Sequence, residues 1–144
     1  MHEMGLAGGI LEVVLDIAQD RPVKGVYLQV GTLHAVVPES LMFSFELAAQ
    51  DTAAANALLH ISKVEAVFQC TQCNEITILG APPFNCGSCG SADLTISAGD
   101  ELLVDAIELE DGTMIRKSIP ADAELVDGHL KEHMAVDGRH GGPP

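Results

Sequence analysis

The chain has 144 residues, of which 47% are hydrophobic, and its 21 acidic side chains outnumber 7 Lys and Arg, giving a formal net charge of −14. This length predicts one compact domain, or a domain with a small satellite, and the hydrophobic fraction is typical of a packed core and not of a disordered chain. Because so acidic a surface repels phosphate backbones and anionic lipid headgroups, the charge disfavours nucleic-acid and membrane partners.

The first half of the chain predicts two helices with a strand between them. Residues 6–19 carry apolar side chains at i, i+4 and i+8, the pattern of an amphipathic helix. Residues 24–33 alternate between apolar and polar side chains, which indicates a half-buried strand. Pro38 then opens a second helix over about 38–50, since proline suits the first helical turn, where its missing N–H removes no hydrogen bond. Its apolar stripe lies on one side and comprises Leu41, Met42, Phe45 and Ala48.

The second half predicts further strands. Residues 58–68 alternate with a change of phase that a bulge near Ser62 would explain, and apolar runs follow at 94–96 and 102–109. This order of elements is typical of an α+β fold. We expect both helices on one face of a small three-stranded sheet, with strands at about 24–33, 58–68 and 101–110.

No secretory leader is apparent at the start of the chain, and no run approaches the roughly 18 uncharged apolar residues of a membrane span. We therefore expect a cytoplasmic protein. In that reducing compartment, four cysteines in two close pairs favour a metal site over disulfides.

The four cysteines form two CxxC pairs, Cys70 with Cys73 and Cys86 with Cys89. A two-residue spacer lets a tight turn point both sulfurs of a pair at one site, and Asn74 tolerates the left-handed backbone that such a turn needs. Two such turns predict a closed four-thiolate site suited to structural Zn(II). The same spacing also suits iron–sulfur ligation, whereas a redox dithiol is disfavoured because neither pair opens a helix.

These cysteines predict a division of the chain. We expect an inserted zinc-ribbon subdomain at 69–94, and a single α+β domain from the flanking segments 1–68 and 95–110. The apolar periodicity fades beyond these, so residues 111–144 predict a poorly ordered tail with at most a short helix near 121–134.

The residues Met1, His2 and Glu3 form a second candidate metal site. The α-amine, the amide nitrogen of His2 and its imidazole can close adjacent chelate rings on one ion, an arrangement that suits Ni(II) or Cu(II). Three donors leave a fourth position for water, a Glu3 group or a receiving protein. Such a site can release an ion as well as hold it.

Several segments occur together in a fixed order: Met1–Met4 with a helix behind it, Val30–Leu33, Val37–Glu46, both CxxC pairs and Gly99–Leu102. In this combination the chain resembles the HypA/HybF family, accessory proteins that bring nickel to [NiFe]-hydrogenase. The likeness covers about residues 1–110.

The resemblance implies that His2 is the principal nickel ligand, that Met1 supplies the amine, and that Glu3 contributes an amide or orients the ion. It implies zinc at the four cysteines, and it implies a HypB-type GTPase and the immature [NiFe]-hydrogenase large subunit as partners. The sequence departs from the family pattern at Thr32, where a Glu commonly stands, in its Gly-rich first helix, and in its length beyond residue 110.

We predict a non-enzymatic nickel metallochaperone, because no catalytic triad, phosphate-binding loop or carboxylate pair is apparent in the sequence. A zinc-ribbon interaction module without nickel transfer is the alternative, and a thiol-redox enzyme is a third hypothesis. The tail histidines His129, His133 and His140 could gather loosely bound nickel, although their pattern fits an inert tail better.

Overall fold

The computed structural model describes residues 2–121, 125–126 and 129–130. Its helices are α1 (His2–Ala18) and α2 (Pro38–Ala48), with a 3-10 turn at Thr32–His34 between them. Its strands, in chain order, are β1 (Val23–Gly31), β2 (Leu58–Val64), β3 (Ala66–Cys70), β4 (Ile76–Leu79), β5 (Leu94–Ala98), β6 (Leu102–Leu109), β7 (Met114–Pro120), β8 (Leu125–Val126) and β9 (His129–Leu130). Within these residues, no helix combines the length and apolar character of a membrane span.

The α+β fold predicted from the sequence is confirmed. The first helix begins at His2, earlier than expected, and the second begins at Pro38 as predicted. The strand expected over 58–68 is two strands, because β2 ends at Val64 and β3 starts at Ala66.

The main sheet has four strands in the order β2-β1-β6-β7, so the predicted three-stranded sheet is wrong by one strand. The added strand, β7, comes from the segment expected to be a poorly ordered tail, and it pairs antiparallel with β6. Its sequence conceals the strand because β7 lies at the sheet edge, where Ile119 is buried but most other side chains are exposed. The short helix expected near 121–134 is also wrong where residues are described, since β8 and β9 pair there as antiparallel strands.

The chain divides into two compact units. The first comprises the described residues of 1–29, 36–62 and 102–144, and the second comprises residues 30–35 and 63–101. The domain limits expected from the sequence stay a prediction.

In the first unit, α1 packs against both α2 and β6. The buried apolar residues of α1 recur at helical spacing, and they are Ala7, Ile10, Val13, Val14 and Ala18. Phe45 of α2 and Leu28 of β1 are among the largest fully buried side chains, so the core is mainly aliphatic, as the scarcity of aromatic residues requires.

Gly9 explains part of the Gly-rich character of α1. A Cβ atom there would lie 2.9 Å from the carbonyl oxygen of Ala121, a separation that real Cβ atoms essentially never show. Ala121 is buried, and its N–H donates to the carbonyl of Leu102 at 2.8 Å. The backbone at Ala121 therefore packs closely on α1, and the missing side chain at position 9 makes room for it.

In the second unit, β3 lies between β4 and β5 and pairs antiparallel with both. Beside this sheet, Gly31 donates its N–H to the carbonyl of Glu101 at 2.7 Å, and Leu33 donates to Gly99 at 2.9 Å. A Cβ on Gly31 would overlap the backbone of Gly99, and one on Gly99 would overlap Ala66. Two of the segments that carry the family resemblance thus contact each other directly.

Candidate metal centre

The first CxxC pair occupies a tight turn between β3 and β4. Cys70, the last residue of β3, donates its N–H to the carbonyl of Glu75 at 2.9 Å, and its own carbonyl accepts the N–H of Asn74 at 3.0 Å. Asn74 has a φ of 65°, in the left-handed region that Asn tolerates better than most residues. The left-handed backbone predicted at this residue is confirmed.

The second CxxC pair repeats the same backbone pattern. Cys86 donates its N–H to the carbonyl of Ser91 at 2.8 Å, and the N–H of Gly90 donates to the carbonyl of Cys86 at 3.0 Å. Gly90 has a φ of 78° and corresponds to Asn74 in the first turn. Two turns of one design therefore present four thiols.

The four sulfur atoms converge, and all lie within 4.8 Å of one another. The Sγ atoms of Cys70 and Cys89 are 3.6 Å apart, as are those of Cys73 and Cys86, and none of the four thiols is in a disulfide. A tetrahedral four-thiolate ion with Zn–S bonds of about 2.3 Å needs sulfurs about 3.8 Å apart. The thiols thus fit one ion, whereas an iron–sulfur cluster would place further atoms between them and hold them wider apart.

Backbone N–H groups donate hydrogen bonds to the sulfur atoms of the two buried thiols. The N–H of Gln72 donates to the Sγ of Cys70 at 3.3 Å, and the N–H groups of Cys89 and Ser88 donate to the Sγ of Cys86 at 3.5 and 3.3 Å. The bonds from Cys89 and Ser88 lower the pKa of the Cys86 thiol to about 6.

The neighbouring sulfurs resist further deprotonation. A backbone hydrogen bond from Glu75 lowers the pKa of Cys73, but desolvation and the adjacent thiols outweigh it and raise that pKa to about 12. The pKa of Cys89 is raised as well, against a lowering backbone bond from Ser91. Four thiolates this close repel one another, so a bound cation is needed to stabilise the fully ionised set.

Contacts around the turns hold the two pairs in place. The N–H of Gly87 donates to the hydroxyl of Thr77 on β4 at 3.0 Å, and the N–H of Thr71 donates to the carbonyl of Asp93 at 3.0 Å. These residues were missed by the sequence reasoning, because the bonds join segments 10 and 22 residues apart and no local pattern marks them.

At the amino-terminal candidate site, the structure describes part of what the sequence predicts. Met1 and the His2 side chain lie outside the described residues, and the His2 backbone begins α1. Glu3 is only 9% exposed, and its Oε2 accepts the N–H of Val37 at 3.3 Å. Val37 is the N-cap residue of α2 and has no capping hydrogen bond from its own side chain. Glu3 therefore ties the first turn of α1 to the start of α2, and nickel ligation by residues 1–3 stays a prediction.

The remaining histidines are distributed over the fold. His34 ends the 3-10 turn, and its Nε2 lies 3.0 Å from the carbonyl oxygen of Asp100. His60 on β2 stacks on Tyr27 of β1, with ring centroids 4.5 Å apart. The backbone of His129 is in β9, whereas His133 and His140 lie outside the described residues.

An α+β fold with a four-cysteine ribbon defines a small metal-binding protein. Comparison with known proteins narrows this class. The family model HypA, described as hydrogenase/urease nickel incorporation, metallochaperone, matches residues 1–109, and the chain belongs to this family.

Individual relatives agree with this assignment. Hydrogenase maturation factor HypA of Desulfatibacillum aliphaticivorans is 43% identical over 115 residues, covering 77% of this chain and 88% of the relative. The protein of the same name from Desulfosudis oleivorans is 40% identical and is covered completely. The solution structure of the Ni metallochaperone HypA from Helicobacter pylori has a TM-score of 0.56 at 18% identity, covering 74% of this chain and 96% of that one, which supports the fold.

Proposed function

We propose that this chain is a nickel metallochaperone that delivers Ni(II) for the maturation of [NiFe]-hydrogenase and holds a structural Zn(II) ion at its four cysteines. The observation that carries the proposal is the match of the family model over residues 1–109, whose description names nickel incorporation. Curated relatives named as hydrogenase maturation factors support the same role. In this role the chain binds and passes on an ion and performs no catalysis of its own.

Zinc is the proposed ion at Cys70, Cys73, Cys86 and Cys89. The 3.6 Å separations within the sulfur pairs support a single tetrahedral ion of zinc size. Four protein ligands complete the coordination of zinc and leave no open position for a substrate, so the ion is structural. It links two turns in a short segment that buries little apolar surface of its own.

Nickel is the proposed cargo at Met1, His2 and Glu3. Coordination by the amide nitrogen of His2 requires that nitrogen to lose its proton, which in a helix interior would break a backbone hydrogen bond. His2 is the first residue of α1, where N–H groups have no intrahelical acceptor, so this position allows amide ligation without loss of a helical bond. The bond from Val37 to Glu3 supports the proposal by holding the first turn in place.

We propose the cytoplasm as the location, and we propose a HypB-type GTPase and the [NiFe]-hydrogenase large subunit as partners. Transfer of the ion needs a driving force that this chain does not supply, and nucleotide hydrolysis by the GTPase would supply it. The description of the family as a nickel incorporation factor supports a role within such maturation machinery.

The decisive experiment is a nickel titration of the untagged protein with its native start, of His2→Ala, and of a version with residues added before Met1. Both changes should abolish high-affinity nickel binding while zinc stays bound at one equivalent. His34→Ala is the matched control and should bind nickel like the native protein. Nickel affinity should also fall on mild acidification, because amide ligands must lose protons.

Undiminished nickel binding by the extended version would refute the amino-terminal site. A native protein that retains zinc but binds no nickel would instead favour the zinc-ribbon interaction module without nickel transfer.

A further inference from the structure

The first unit carries an apolar groove between α2 and β2, with a volume of about 310 Å³. We propose that this groove docks a segment of a protein partner that carries a large apolar side chain flanked by Lys or Arg. The proposal rests on the proposed function, since a metallochaperone must dock on the proteins with which it exchanges its ion.

The groove has a buried floor and exposed walls. Phe45 and Leu59 form the floor and are buried in the core. Met42 on α2 and Leu58 on β2 line the walls and are 44% and 66% exposed. A partner side chain inserted between them would cover apolar surface that now contacts water, which favours association.

The sequence pattern of α2 does not predict that Met42 is exposed. Met42 falls within the apolar stripe that the sequence predicts for the core, yet in the structure Leu41 and Phe45 are buried and Met42 is exposed. Phe43 and Leu47, one turn apart on α2, extend the exposed apolar surface next to the groove.

β2 adds an unpaired backbone edge to the same surface. It is the outermost strand in the order β2-β1-β6-β7, so one of its edges has no neighbouring strand in the described sheet. Exposed strand edges pair readily with extended segments of other proteins, and pockets for alternate side chains then give specificity. Leu58, at the start of β2, belongs both to this edge and to the groove wall.

The charges near the groove identify the chemistry of the occupant. Glu46 lines the groove, and Glu39 and Asp51 lie nearby in sequence. From residue 25 to residue 62 the sequence contains no Lys or Arg. An apolar segment flanked by basic side chains complements this surface, whereas a second copy of a chain with a net charge of −14 would bring like charges together.

The test measures binding of two purified probes, the cognate HypB-type GTPase and the cognate hydrogenase large subunit, each by calorimetry. Met42→Glu and Leu58→Glu place a carboxylate in the groove at positions exposed enough to leave the fold intact. At least one probe should bind both variants about tenfold or more weakly than it binds the native chain, as expected for loss of an apolar contact at the centre of an interface. Binding should also weaken as salt is raised.

Met114→Glu is the matched control, because Met114 is an exposed apolar residue on β7, the opposite edge of the same sheet. It should bind both probes like the native chain. Circular dichroism of each variant checks that the fold is retained.

Equal affinity of native protein and groove variants for both probes would overturn the proposal, as would failure of both probes to bind the native protein. A native dimer that Leu58→Glu converts to a monomer in sedimentation would overturn it too, since the occupant would then be a second copy. Nickel titrations of the same variants separate the two proposals. If the native chain binds no nickel but the groove variants still bind a probe more weakly than it does, the proposed function is refuted and the docking site is retained.

Discussion

Replacement of Glu3 by Ala should destabilise the first unit, in addition to any effect on the proposed nickel site to which Glu3 belongs. Glu3 is 9% exposed and its carboxylate accepts the N–H of Val37 at 3.3 Å, at a helix start where the side chain of Val37 makes no capping hydrogen bond. It also places negative charge at the positive end of the α2 dipole. Its loss leaves the N–H of Val37 without this acceptor.

The expected cost follows from these contacts. Loss of a helix cap costs about 0.5–2 kcal/mol, and a hydrogen bond to a charged group contributes about 1.5–3 kcal/mol. Because 3.3 Å is slightly beyond the usual range of N–H···O distances, we expect a destabilisation in the lower part of these ranges, about 1–2 kcal/mol. With a urea m-value of about 2 kcal/mol/M, typical of a small protein, the unfolding midpoint should fall by about 0.5–1 M.

The assay is urea unfolding followed by far-ultraviolet circular dichroism. Glu3→Gln keeps an acceptor oxygen and loses the charge, so it should recover part of the stability. Glu39→Ala is the matched control, because Glu39 is an exposed acid in the first turn of α2 and should cost no more than about 0.5 kcal/mol. If Glu3→Ala and Glu39→Ala unfold at the same urea concentration as the native protein, the structural role assigned to Glu3 is wrong.

Three further predictions concern the glycines of α1 and the cysteine turns. Gly8→Ala should stabilise the protein by up to about 1 kcal/mol, since no atom lies within 4 Å of the added Cβ. Gly9→Ala should destabilise it, because the added Cβ would press on the carbonyl oxygen of Ala121. Thermal unfolding should therefore shift the melting temperatures of the two variants in opposite directions. Because folding lowers the pKa of Cys86 from 9.0 to about 6, its thiolate should stabilise the metal-free fold. This stabilisation should be fully present above pH 9.0 and should be lost as the pH falls through about 6. A step in ultraviolet thiolate absorbance near that pH should be absent from Cys86→Ser. Cys70→Ser should release zinc, measured by metal analysis, and a variant that retained a full equivalent would exclude Cys70 as a necessary ligand.

Local sequence signals were sufficient for the cysteine turns. A two-residue spacer restricts each pair to a tight turn, and the residue after each pair, Asn74 or Gly90, has the left-handed backbone that such a turn requires. The start of α2 was predictable for the same reason, because Pro38 acts through its own backbone and needs no distant partner. The family resemblance could be seen in these same short segments.

Other features depend on residues far apart in the chain. β7 could not be predicted because an edge strand buries few of its side chains, so its apolar pattern is weak until β6 lies beside it. The exposure of Met42 was concealed by its place in the apolar stripe of α2, since periodicity shows which side chains share a face but not where the neighbouring elements end.

The sequence by itself determined the α+β class, the four cysteines that form one metal-binding group, and the family to which the chain belongs. Only the tertiary structure decided that Glu3 accepts a bond from Val37 and that Gly9 makes room for Ala121. The physical reason is the range of the interactions. Backbone preferences and ligand spacings act over a few residues and are written in local sequence, whereas these contacts join residues 34 and 112 positions apart and exist only once the chain has folded.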